Sequence, residues 1–148
     1  MSSYLIRCPS CRTKNRIPED KISLTPKCGK CGRPMNMDDI FTGKPVTVTD
    51  SNFETTVLKS PLSVLLDCWA PWCGPCQMIG PVMEELAGEW KGRIRIGKLN
   101  SDENPGISGQ FQIRSIPTLL IFDNGQLKES IVGAFPKQHI IQKMAPYL

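Results

Sequence analysis

Nothing in these 148 residues approaches the run of about 18 apolar residues that a membrane-spanning helix needs. The opening residues, Met-Ser-Ser-Tyr-Leu-Ile-Arg-Cys, lack the apolar stretch of a signal peptide. No G-x-G-x-x-G or other nucleotide loop occurs, so no bound nucleotide or flavin is expected, and electrons for any redox step must come from another protein. There is one histidine, His139, far from any cysteine pair and so neither ligand nor base. No segment is of low complexity. Few aromatics lie among the basic residues of the first 43 positions, which argues against nucleic acid. A chain with no leader and no span is expected to stay in the cytoplasm, where thiols are kept reduced. Seven cysteines there argue for metal binding and redox chemistry rather than structural bridges.

The net charge of +4 is unevenly placed: residues 1–43 carry eight Lys or Arg against four acids, and the rest carry ten of each. A divalent ion on four thiolates would lower the first segment to roughly +2, so these charges read as a solvated face.

Cys8-Pro-Ser-Cys11 and Cys28-Gly-Lys-Cys31 are two C-x-x-C pairs separated by sixteen residues, a zinc-site spacing. Pro9, Gly29, Gly32 and Pro34 suit the tight turns that present two sulfurs together. The segment has little else to fold on, with Ile6, Ile17, Ile22 and Leu24 as nearly its whole core, so one structural zinc ion is expected to supply the stability. Four thiolates leave no open coordination position, which makes the site structural rather than catalytic. From Met35 to Pro45 periodicity stops, and the segment reads as a linker with a boundary near residue 43.

The residues 69–76, Trp-Ala-Pro-Trp-Cys-Gly-Pro-Cys, are the centre of the remaining chain. Val64 to Ala70 is a short apolar run fitting a strand buried on both faces. Ile79, Val82, Met83, Leu86 and Trp90 recur at helical spacing. Cys73 is thus expected where a strand ends and a helix begins, in a first turn whose free N–H groups favour the thiolate. Cys73 is the expected nucleophile. Cys76, three residues on, is placed to attack a mixed disulfide at Cys73. Asp67 lies within the apolar run, where a carboxylate is costly; the residues alone leave open a strand-end Asp turned to solvent. Cys68 reads as an inert small hydrophobe.

Around this centre, Val46-Thr47-Val48 alternates like an edge strand, and Ser51-Asn52-Phe53-Glu54 has capping-box form, predicting a helix to Lys59 before Pro61. Pro81 should kink the active-site helix. A strand over 93–100, a short helix over 105–111, a hairpin turning on Asp123-Asn124-Gly125 and a last helix over 136–147 complete the order βαβαβαββα. That order is an α/β class, with a mixed central sheet and helices on both faces.

Trp-Cys-Gly-Pro-Cys after a buried strand with an embedded Asp resembles the active site of thioredoxins. The resemblance runs over residues 45 to 148, through Pro81, Lys98, Ile116-Pro117-Thr118 and Gly133. With the four-cysteine segment ahead of it, the chain is similar to the bacterial thioredoxins that carry an N-terminal zinc module. The resemblance implies a thioredoxin fold over 44–148 and a zinc-ribbon-like module with linker over 1–43. It further implies protein-disulfide reduction through Cys73 and Cys76, with re-reduction by an NADPH-dependent thioredoxin reductase. Asp67 would then be general base for Cys76, with Lys98 tuning it; an ordinary surface lysine is the alternative for Lys98. Pro117, trans by default, would be cis and face the dithiol. Trp72, Gly74, Pro75, Ile116, Gly133 and Ala134 would form the rim on which an extended substrate segment lies. Cys68 and Gln77 depart from the family, which usually has an aromatic at the first position and Lys or Arg at the second. A zinc-ribbon adaptor or redox-sensing binding module with secondary dithiol activity is the competing reading.

Overall fold

The computed structural model describes residues 2–148. The apolar run at the centre becomes β4 (Ser63–Trp69), which has hydrogen-bonded neighbours on both edges and side chains buried on both faces, as its lack of alternation requires. It pairs in parallel with β5 (Ile94–Asn100) and antiparallel with β6 (Thr118–Asp123). β3 (Val46–Thr47) closes one edge and β7 (Gln126–Val132) the other, giving the order β3-β5-β4-β6-β7. The β6–β7 hairpin turns at Asn124 and Gly125, both with positive φ (51° and 76°), the backbone that an Asn-Gly turn supplies.

Two cores follow from the period of two. Leu65, Ile94, Ile96, Leu119, Ile121 and Ile131 point to one face, covered by α1 (Cys76–Glu89) through Ile79, Met83 and Leu86 and by α3 (Lys137–Met144) through Ile140 and Met144. Val64, Leu66, Cys68, Leu99, Leu120 and Phe122 point to the other, covered by Phe53, Val57 and Ile107 of α2 (Pro105–Gln110). Pro81 lies inside α1 without ending it.

The expected helix over 51–59 is reduced to one π turn, Glu54–Leu58. The capping box does not form. The neighbouring Asn52 Oδ1 instead accepts the Thr49 N–H at 2.7 Å, closing a local Asx-type loop that competes with helix initiation.

The first segment is a two-stranded hairpin, β1 (Ser3–Arg7) and β2 (Lys14–Pro18), with the cysteine turns beyond it. Its core departs from expectation at Leu24, which is 71% exposed, while Ile22 is partly buried. Met35, Met37 and Ile40, in the stretch read as a linker, are buried with Ile6, Ile17 and Leu62. The stretch is therefore packed rather than extended, and it ties the segment to the sheet. Gly92 N–H bonds to the Ile40 carbonyl, and Arg7 N–H to that of Pro61. The Arg12 guanidinium donates to the carbonyls of Lys59 and Ser60 and to Asn124 Oδ1. The buried Arg95 meets Asp39 at 2.8 Å. Every one of these contacts lies at the end of the sheet where β4 begins.

Gly92 has φ +78°, and a Cβ there would overlap the Phe41 ring. Gly92→Ala should cost about 1–3 kcal/mol in urea unfolding. Gly109→Ala, in α2 with nothing within 4 Å of the added carbon, should be neutral or stabilising by about 0.5 kcal/mol.

Candidate active site and metal centre

At the far end of β4 the chain turns through Pro71 and Trp72 and enters α1 at Cys76. Cys73 was expected in the first helical turn; it lies just before the helix instead. Cys73 Sγ still accepts the Cys76 N–H at 3.2 Å, one of the donors that a helix start leaves free. Cys73 and Cys76 are joined as a disulfide with Cα atoms 5.3 Å apart, and both are buried with Ala70 against Trp69 and Ile116.

The Ile116–Pro117 bond is cis. It leads into β6, whose residue Thr118 pairs with Cys68 of β4, so the cis bond and the dithiol share one end of the sheet. Gly133 N–H bonds to the Pro117 carbonyl at 2.9 Å and extends the β6–β7 ladder by one step. The φ of +113° at Gly133 is one that side chains rarely adopt.

Asp67 shares the α1-facing side of β4 with Leu65, and β5 sets Lys98 directly beside it in register. Its carboxyl is 1% exposed and Oδ1 has no hydrogen-bond partner. Burial raises its pKa from 3.8 to about 6, and the Lys98 charge works in the opposite sense. The solvent-facing alternative for Asp67 is thereby removed. Lys98 is half-buried, with Nζ 5.4 Å from the Trp69 ring centroid. Cys68, one residue on, points to the opposite face, and burial, then the neighbouring Asp67, pushes its thiol up to about 12. It stays a thiol, consistent with an inert hydrophobe.

Trp72, Gly74, Pro75 and Ala134 are exposed around the disulfide, with Ile116 and Gly133 half-buried. Trp72 Nε1–H bonds to Asp102 at 2.9 Å, which props the indole outward at 71% exposure. Met78 (71% exposed) and Phe135 (38%) extend the apolar surface on α1 and beyond Gly133, and sequence reasoning missed both. The signal for Met78 was its place one residue off the apolar stripe that begins at Ile79. Gln77 is exposed. His139 stacks on Phe135, their ring centroids 4.5 Å apart.

Thioredoxin is the family model that matches residues 44–146. The chain belongs to the thioredoxin family. A second model, described as Thioredoxin 2, N-terminal, a zinc ribbon, matches residues 7–33. Thioredoxin from Chlorobaculum thiosulfatiphilum is 51% identical over 106 residues, 72% of this chain and 98% of that protein. Thioredoxin 2 from Chlorobaculum tepidum is 50% identical over 108 residues, 73% and 99%. Thioredoxin M-type, chloroplastic, from Spinacia oleracea is 54% identical over 101 residues, 68% of this chain and 56% of its own length. With the Cys73–Cys76 disulfide in place, the chain is a thiol–disulfide oxidoreductase, a protein-disulfide reductase of thioredoxin type. Among the described residues no helix is long and apolar enough to cross a membrane.

At the other end of the sheet the sulfurs of Cys8, Cys11, Cys28 and Cys31 all lie within 4.8 Å of one another, with Cys8–Cys31 and Cys11–Cys28 at 3.6 Å. The edge of a tetrahedron with metal–sulfur bonds of ~2.3 Å is ~3.8 Å, so the donor set fits a tetrahedral thiophilic ion. Cys28 Sγ accepts the Asn15 amide at 3.5 Å and the Lys30 N–H at 3.4 Å. The Cys31 N–H and these donors lower its pKa, while burial and the three neighbouring sulfurs raise that of Cys31 against the Arg33 N–H.

A carboxyl whose pKa is raised by folding binds a proton more tightly in the folded than in the unfolded chain, so stability falls as pH rises from about 4 to about 6 and stays lowered above. Asp67→Asn should therefore be more stable than the native chain at pH 7.5, by on the order of 2 kcal/mol, with the gain disappearing below about pH 4. Urea unfolding across that range checks it.

Proposed function

We propose that the protein reduces disulfides in other proteins in the cytoplasm and is re-reduced by an NADPH-dependent thioredoxin reductase. In this reading a domain of residues 44–148 carries the chemistry, and a module of residues 1–43 holds one structural zinc ion on Cys8, Cys11, Cys28 and Cys31. The single observation that supports it best is an unpartnered buried carboxylate on the same sheet face as the helix that begins at the dithiol, with a cis-proline at the same sheet end.

The Cys73 thiolate attacks one sulfur of the substrate disulfide. A Cys73–substrate disulfide forms, and the other substrate sulfur leaves as a thiolate. Asp67 takes the proton from Cys76, and the Cys76 thiolate attacks Cys73 Sγ, forming the Cys73–Cys76 disulfide and releasing the second substrate thiolate. Two electrons pass from the dithiol to the substrate. Lys98 steadies the Asp67 carboxylate, so that the base is ionised near neutral pH yet basic enough to work. Pro117 presents the Ile116 backbone to an extended substrate strand, and Trp72, Gly74, Pro75, Gly133 and Ala134 bear its side chains. The metal, when bound, crosslinks the module and supplies folding energy.

Insulin reduction with NADPH and thioredoxin reductase tests this. Activity should vanish in Cys73→Ser, and Cys76→Ser should accumulate the mixed disulfide, seen by mass. Asp67→Asn should slow turnover by roughly tenfold or more and remove the inflection near pH 6 from the rate profile. A native chain that thioredoxin reductase does not turn over would sink the recycling step.

For the metal, atomic absorption should find about one zinc per native chain and none in Cys11→Ser. Because the module docks away from the dithiol, Cys11→Ser should keep most of its insulin activity at a temperature where it is folded.

A further inference from the structure

The β1–β2 hairpin breaks a rule that sheets ordinarily keep. Tyr4, Ile6 and Ile17 face the module's core, and Asn15 reaches Cys28. The opposite face therefore carries Leu5, Arg7, Lys14 and Arg16, with Arg7 directly across from Lys14 in the antiparallel register. Like charges directly opposite on one face destabilise a ribbon, and a local violation without compensation points to a function elsewhere in the design.

Leu5, Lys14 and Arg16 on that face are exposed and Arg7 is half-buried. The face forms one wall of an open cleft of about 200 Å³ whose other wall is Pro61 to Ser63 at the start of β4, with Asp123 and the C-terminal residues Pro146 and Tyr147. Arg93, from the segment just before β5, is a fourth cation in the lining, fixed 4.6 Å over the Tyr4 ring and donating to the Ser3 carbonyl. None of the four makes an ion pair within 4.0 Å among the described residues. Lys14 makes no side-chain hydrogen bond there, while Arg7 and Arg16 use one donor each, on the Arg12 carbonyl and Ser3 Oγ. Most of their N–H groups are free for a ligand. The lining's negative groups are Asp123, already accepting the Ser63 hydroxyl at 2.7 Å, and the Leu148 carboxylate. Four cations against two carboxylates leave an excess that a dianion would match.

We propose that this cleft binds a phosphate group, free or carried by a small organic molecule. A phosphate monoester has a charge of about −1.5 to −2 near neutral pH, and guanidinium forks grip its oxygens in pairs. Leu5 and Tyr147 give the cleft an apolar flank for an organic carrier. The ligand joins residues of the hairpin to Arg93 across the seam between the module and the sheet, so its binding tightens their docking.

The test is titration of the full-length, metal-loaded chain, followed by ¹⁵N amide shifts, with glycerol 3-phosphate and with inorganic phosphate in separate arms, each to about 10 mM at constant ionic strength. Saturable shifts at Leu5, Arg7, Lys14, Ser63 and Arg93 are expected. Lys14→Gln, which removes a charge and no fold contact, should raise the apparent Kd by roughly tenfold with insulin reduction unchanged. Tighter binding of the ester supports a phosphorylated metabolite, and equal binding supports free phosphate. The proposal is overturned if neither probe gives saturable shifts, or if the shifts are the same in Lys14→Gln. It is also overturned if Lys14→Gln loses zinc while the native chain ignores both probes, since the cations would then serve the sulfur cluster.

Discussion

A strand hydrogen-bonded on both edges cannot slide, and β4 is held between β5 and β6 over its length. Its alternation then assigns every side chain to one of two interiors. A slip of one residue would carry Asp67 to the face of Phe53 and Val57 and bring Cys68 beneath α1. The buried carboxylate would lose Lys98, and a thiol with no partner would lie beside the redox pair. The chemistry at the end of the strand thus depends on the apolar residues that fix its register, Leu65, Leu66 and their cross-strand partners, more than on the loop that carries the cysteines.

The module is organised around the opposite end of the same strand. Arg12, immediately after the first cysteine turn and at φ 67°, reaches two carbonyls that a strand's entry leaves unpaired, at Lys59 and Ser60. Asp39 meets a guanidinium that burial would otherwise leave costly. The module therefore completes the hydrogen bonding of the sheet's entry end while it leaves Trp72, Pro75 and Met78 uncovered.

Much of this was legible in the residues. The C-x-x-C pairs, the apolar run around Asp67 and the Asn-Gly turn are local patterns whose geometry is set within a few residues, and each lies where its pattern implies. What escaped was decided over distance or by competition. Met35, Met37 and Ile40 have no period because they are buried from an irregular path, and only their packing with Ile6 and Ile17 and with Leu62 across the seam reveals them as core. The helix after Ser51 lost to the bond between Asn52 and Thr49. Phe135 and Met78 look like ordinary apolar residues until their exposure is known. The cationic face of β1 and β2 is solvated as its charge implied, with Lys14 and Arg16 exposed; that Arg7 stands against Lys14 shows only in the register.

The separation of the two sulfur groups has a kinetic meaning. β4 advances about 3.3 Å per residue, so its seven residues put roughly 20 Å between the entry end, where Arg7 and Arg12 dock, and the end that bears Cys73. No sulfur of the module can reach the dithiol within one folded chain. Exchange between a module cysteine and Cys73 must then take place between two molecules, with a rate that rises with protein concentration, or wait for the module to leave its seat on the sheet.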